Sequence, residues 1–122
     1  MCTGLPLWEV NLMKKAKGIV EPGACGLKVL IEAELDDQKR LNLDFHSACE
    51  LVTGMKDEFR NVNWKKGVFT KMLDSYIYKV CSQHLTHPDC PVPSAILKTV
   101  QVLVGAAVDQ EVTMKITKVT EE

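Results

Sequence analysis

The sequence predicts a single α+β domain in which an antiparallel or mixed sheet packs against helices, with the element order βββαααβ. A length of 122 residues with 46% apolar content suits one core of ordinary domain size. Apolar residues alternate with polar ones in the first third of the chain, as in half-buried strands, and recur at helical spacing after that. We expect residues 1–122 to form this domain, with residues 1–16 as a loosely packed N-terminal segment.

Three strands are predicted to form a meander. The first covers residues 17–21 and stops at a Pro-Gly turn, and the second, residues 27–35, has the clearest alternation. A polar turn leads into the third strand, residues 41–45. A closing strand is predicted at residues 112–117, where apolar and polar residues again alternate.

Three helices are predicted between the third strand and the closing strand. Ser47 and Glu50 have the spacing of a capping box, so the first helix should begin there and extend to about residue 61. The second should cover residues 69–84, with Phe69, Leu73 and Cys81 on its apolar stripe. The third should begin near Pro93 and continue to residue 105 or 107, after a proline-containing loop.

Charge and hydropathy exclude several classes of function. The chain has 15 basic and 16 acidic side chains and a net charge of −1, which gives no general attraction to nucleic acid. No apolar run approaches the roughly 18 to 20 residues that span a bilayer. The first fifteen residues lack the order of a secretory signal. We therefore expect a cytoplasmic protein with neither nucleic-acid nor membrane partners.

The cysteines are the residues that suggest a function. There are five, an odd number, and no two form a CxxC pair, so any shared site must be assembled from distant segments. If each short connection reverses the chain, Cys25, Cys49 and Cys90 all lie at one end of the domain. The residues expected at the same end are His46, Cys81, His84 and His87.

A metal centre is the leading hypothesis. Helix starts favour thiolates at Cys49 and Cys90, and neighbouring glycines let the backbone at Cys25 approach a bulky group. These three thiolates with His87 would form a Cys3His site, and Cys81 is the alternate fourth ligand. Ligand type leaves zinc and an iron–sulfur cluster both open, and the hypothesis favours a redox or sensing centre.

Two other functions are consistent with the same residues. In a metal-free enzyme, Cys90 or Cys49 would be a thiolate nucleophile with His87 as its base. In an adaptor domain, an exposed loop containing Val62, Trp64 and the Lys65-Lys66 pair would dock a partner, and the cysteines would be incidental. A redox partner protein or a second copy of the chain is the expected partner.

Three motifs resemble those of a small uncharacterised protein family of anaerobic bacteria and archaea, over about residues 17–118. The motifs are Pro-Gly-Ala-Cys-Gly at residues 22–26, Ser-Ala-Cys at 47–49 and His-Pro-Asp-Cys-Pro-Val-Pro-Ser-Ala-Ile at 87–96. By position, the resemblance singles out Cys25, Cys49, His87 and Cys90, and leaves Cys2 and Cys81 outside the pattern. Glu50 departs from it, because the family often has proline there. The resemblance implies no particular reaction.

Overall fold

The computed structural model of the protein describes residues 14–120. Its strands form an antiparallel sheet in sequence order: β1 (Lys14–Val20), β2 (Val29–Leu35) and β3 (Leu41–Ser47). Its α-helices are α1 (Glu50–Thr53), α2 (Tyr76–His84) and α3 (Val92–Leu103), with 3-10 turns at Lys56–Phe59 and Met72–Asp74. The predicted α+β class and βββααα order are confirmed. The N-terminal segment that contains Cys2 lies mostly outside the described residues.

One face of the sheet is buried and the other is polar, as the alternation predicts. Ile31 pairs with Phe45 and Ala33 pairs with Leu43, and all four side chains are buried on the inner face. Helix α3 packs across β1 and β2 on that face. The approach is close at Gly18, where a Cβ atom would stand 2.2 Å from the hydroxyl oxygen of Thr99. Gly18 is therefore required for the contact between α3 and β1.

The first predicted helix is much shorter than expected. Instead of residues 47–61, α1 covers Glu50–Thr53, and a separate 3-10 turn buries Phe59. The Ser47 hydroxyl accepts the amide of Cys49 at 3.0 Å, so the predicted capping box does not form. Gly54 follows α1 directly, and glycine is a poor residue for continuing a helix. The predicted helix therefore divides into two short turns.

The second helix begins later in the structure than the sequence predicts. Residues 69–75 are not α-helical, and Phe69 and Leu73 are exposed, which contradicts their place on an apolar stripe. The buried Ser75 donates its hydroxyl proton to the carbonyl of Val68 at 2.7 Å, which holds the chain in a fold-back before α2. Only Tyr76–His84 forms the helix, with Cys81 in the core as predicted.

The structure confirms the third predicted helix. The predicted closing strand is wrong, because residues 112–117 form no strand. Helix α3 has Pro93 in its first turn and is followed by Gly105 in a left-handed conformation (φ 84°). Within this segment, Val112, Met114 and Ile116 are exposed. An isolated strand is unstable because its amides need a partner strand, and none of the described strands pairs with it. No helix in residues 14–120 is long and apolar enough to cross a membrane.

Candidate metal centre

Three cysteines from three separate connections meet at one end of the domain. Cys25 lies in the turn between β1 and β2, Cys49 precedes α1 directly after β3, and Cys90 lies just before α3. Cys49 and Cys90 are half-buried and pack against the hydrophobic core, whereas Cys25 is exposed. The common placement that chain direction predicts is therefore present in the fold.

The pKa of Cys90 shows which groups surround its thiol. Burial is the main cause that raises this pKa, while an amide hydrogen bond from Val92 lowers it. Negative charge on Cys49, Cys25 or Asp89 raises it further, so Cys90 lies within electrostatic range of both other thiols. No cation is among the groups that act on it. A cluster of potential anions without a neighbouring cation is the arrangement that a bound metal ion would neutralise.

Cys81 extends this cluster into the core. Its side chain is 2% exposed, and burial, followed by charge on Cys90, raises its pKa to about 12. The thiol is therefore neutral at physiological pH unless a metal displaces its proton, as metals do when they bind thiols. Charge on Cys90 acts on Cys81, so the buried thiol lies within electrostatic range of one of the three predicted ligands.

Backbone amides act on two of the sulfurs. The amide of Leu27 donates to Sγ of Cys25 at 3.4 Å, and the backbone of Val92 lowers the pKa of Cys90. In both cases the donor lies two residues after the cysteine. Gly26, with φ 73°, forms the first of these turns. Amide donors at sulfur stabilise thiolates and adjust the potential of iron–sulfur centres.

The spacing of the sulfurs bears on which metal they suit. A tetrahedral zinc ion with Zn–S bonds of about 2.3 Å holds its sulfurs about 3.8 Å apart. Within residues 14–120, no three cysteines have sulfurs that all lie within 4.8 Å of one another. A cluster contains several metal atoms between its ligands, so its cysteine sulfurs are further apart than those around a single ion. The thiols would therefore have to move closer together to hold a single zinc ion.

The histidines contribute less to this end of the domain than predicted. His84 forms a hydrogen bond with a carboxylate oxygen of Glu58, and His46 forms one with Oε1 of Glu32 at 2.8 Å. His87 is exposed, and its carbonyl accepts the amide of Cys90 at 3.3 Å. Of the three histidines, His87 is therefore the one that lies in the same loop as a predicted thiol ligand, Cys90.

Sequence reasoning missed a second group of ligand-type side chains on the outer face of the sheet. Glu32, Asp44 and His46 have ligand atoms within 4.8 Å of one another. Glu32 and Asp44 are direct cross-strand partners, and His46 is next along the same face of β3. Strand alternation assigns all three to this face, so the missing information was the register between β2 and β3.

The loop proposed for partner docking is more buried than predicted. Val62 and Trp64 are both half-buried and pack against the core, and Val62 pairs through its backbone with Leu41. The ammonium group of Lys65 lies 5.9 Å from the centre of the Trp64 ring. Val62 and Trp64 are therefore partly covered by the domain, while Lys65 and Lys66 stay exposed in the same loop.

Fold and site together define a small α+β domain with Cys25, Cys49 and Cys90 at one end and Cys81 in the core. A family model described as "Family of unknown function (DUF6951)" matches residues 16–116, and the chain belongs to this family. The resemblance to an uncharacterised family is confirmed to that extent. No curated protein and no solved structure matches the chain.

Proposed function

We propose that the domain binds an iron–sulfur cluster through Cys25, Cys49, Cys90 and Cys81, and that this centre has a redox or sensing role. The observation that carries the proposal is the grouping of Cys25, Cys49 and Cys90, since charge on the first two raises the pKa of the third, together with the amide hydrogen bond at the sulfur of Cys25. Three of the four ligands are those that the sequence singles out. When bound, such a cluster supplies one-electron exchange.

The residues would divide the work of holding the cluster. Cys25 lies in a turn with two left-handed glycines, Gly23 and Gly26, and is free to move toward the centre. Cys49 and Cys90 anchor it against the core. Each thiol must release its proton on binding, so metal affinity falls as the pH is lowered.

Cys81 is favoured over His87 as the fourth ligand. Cys81 lies within electrostatic range of Cys90, whereas His87 is exposed. A Cys3His site with His87 stays the second arrangement, and such a site would suit zinc.

A metal-free thiol enzyme has less support. A catalytic thiolate requires a lowered pKa, and the pKa of Cys90 is raised. Among the hydrogen bonds of the described residues, His87 takes part through its backbone carbonyl and not through its ring. The base that this function requires is therefore not in place beside the nucleophile.

The test is elemental analysis with an absorbance spectrum, on untagged protein purified without oxygen. We expect iron with acid-labile sulfide and a broad visible band. Cys25→Ser, Cys49→Ser and Cys90→Ser should each reduce the iron content, whereas Cys2→Ser, the matched control, should keep it. Cys81→Ala and His87→Ala identify the fourth ligand, because only the ligand's variant should lose iron.

Two results would contradict a cluster. Colourless protein with one equivalent of zinc would replace it with a tetrahedral metal site. Folded, metal-free protein in which one cysteine reacts with alkylating agents far faster than the others would instead favour the thiol enzyme.

A further inference from the structure

The segment after α3 has the sequence pattern of a strand and is exposed throughout. Val112, Met114 and Ile116 are 58%, 69% and 88% exposed, and the residues between them are polar. Alternation of this kind, rich in β-branched residues, is typical of a strand with one buried face. The segment thus has an apolar face that its own core does not cover.

The sheet has one open edge that such a strand would fit. Within residues 14–120, β1 pairs with β2 alone, so one side of its backbone has free amides and carbonyls. The opposite edge, at β3, is partly occupied, because Leu41 and Val62 exchange two backbone hydrogen bonds of 2.9 Å. Open edges are the sites at which sheets accept a further strand.

Charge selects the direction in which the segment would pair with β1. In a parallel arrangement with Met114 beside Gly18, Glu111 lies beside Lys15, and Thr113 beside Lys17. An antiparallel arrangement with the same central pair places Lys115 opposite Lys17, which like-charge repulsion opposes. Both directions put the apolar residues of the segment on the inner face of the sheet, where β1 packs against α3, so charge is what separates them.

The segment after α3 is not covered by its own domain. After α3, the amides of Ala106 and Ala107 donate to the carbonyl of Gln101 at 2.8 and 3.3 Å, and the chain turns at Gly105. Every residue from 105 to 120 is exposed. An exposed segment with the pattern of a strand is accessible to another molecule, and reciprocal exchange would close both open edges with two-fold symmetry.

We propose that two copies of the chain exchange residues 111–117, each pairing in parallel with β1 of the other to extend both sheets to four strands. The exchange gives the apolar face of the segment a core to cover. It also brings the acidic start of the segment to the lysines of β1.

The test is the native mass of the full chain by sedimentation equilibrium, from about 1 to 200 µM. We expect a dimer of twice 13.6 kDa. Met114→Asp with Ile116→Asp should raise the dimer Kd about a hundredfold or more, because two carboxylates would enter an apolar contact. The matched control, Thr113→Asp with Thr117→Asp, changes the other face and should keep the dimer. Circular dichroism checks that both variants are folded.

Amide hydrogen exchange identifies the pairing partner. Residues 112–117 and β1 should gain protection together as concentration rises. A monomer at every concentration overturns the proposal, and protection of residues 112–117 in that monomer would mean pairing with its own β1. A dimer unaffected by Met114→Asp with Ile116→Asp also overturns it.

A charge exchange tests the register. Glu111→Lys should weaken the dimer several-fold, and adding Lys15→Glu should restore it. If the second substitution weakens the dimer further, the parallel pairing is wrong.

Discussion

The thiol end and the outer face of the sheet each present a set of metal-ligand side chains, but their surroundings differ. Glu32, Asp44 and His46 already satisfy one another in part, since His46 hydrogen-bonds Glu32 at 2.8 Å and Lys56 lies 3.6 Å from Asp44. Lys17 and Arg60 line a surface depression together with Glu32 and Asp44. This face therefore already contains cations.

The thiol end is the reverse case. Its sulfurs are further apart, yet Cys49 and Cys90 pack against the core, Cys25 accepts a backbone amide, and no cation acts on Cys90. Under the proposed function, potential charge without a neighbouring cation outweighs short distances between ligand atoms in deciding where a metal binds.

The largest expected difference between the two regions is the effect of removing the metal. A centre present at a thousand times its Kd stabilises the fold by about 4 kcal/mol, so its removal should lower the melting temperature by about 10 to 20 °C. Calorimetry of protein before and after anaerobic chelation measures this change. The core of the sheet contains no predicted ligand other than Cys81, so the stripped protein should stay folded.

The control for that experiment is the sheet face. Glu32→Gln protein should lose the same amount of stability on chelation as the wild type. If Glu32→Gln removes the effect of chelation while Cys49→Ser keeps it, the metal binds on the sheet and the comparison is reversed.

Alkaline pH should lower the free energy of unfolding of the metal-free, reduced protein, because of the buried thiol of Cys81. The Cys81 pKa of about 12 lies above its ordinary value of 9.0, because burial disfavours the thiolate. The unfolded chain then loses this proton first as the pH rises. The resulting stabilisation is complete below pH 9 and is lost progressively between pH 9 and 12.

Urea unfolding at pH 8 and pH 10 measures that loss. One pH unit above the unfolded pKa corresponds to about 1.4 kcal/mol, which the wild type should lose and Cys81→Ala should not. An equal loss in both proteins would assign the pH dependence to other groups.

Much of the fold follows from local pattern, because burial alternates along a strand whatever its partners are. Ile31 and Leu43 were predictable for that reason, whereas the start of α3 was predicted from Pro93 and lies one residue earlier, at Val92. The length of α1 was not, because the Ser47 hydroxyl has two possible amide partners, and the sequence does not say that it selects Cys49. The closing strand failed because a strand requires a partner as well as a pattern.

The thiol site was predictable in outline and not in detail. Chain direction places Cys25, Cys49 and Cys90 at one end. Each of them adjoins a strand or helix whose direction follows from the reversal of the chain at every short connection. The contact of Cys81 with Cys90 depends on how α2 packs, and the Glu32–Asp44–His46 group depends on strand register. Both are tertiary relations that a single sequence does not contain.

The smallest expected effect is that of breaking the pair on the sheet face. The side chains of His46 and Glu32 are 56% and 42% exposed, and exposed ion pairs contribute about 0.2 to 1 kcal/mol. His46→Gln and Glu32→Gln should each change the free energy of unfolding by about 0.5 kcal/mol or less in urea titrations, and less still in high salt. A zinc or manganese titration gives the opposing outcome. If either metal raises the melting temperature of the wild type and not of Glu32→Gln, this face binds cations despite its own lysines.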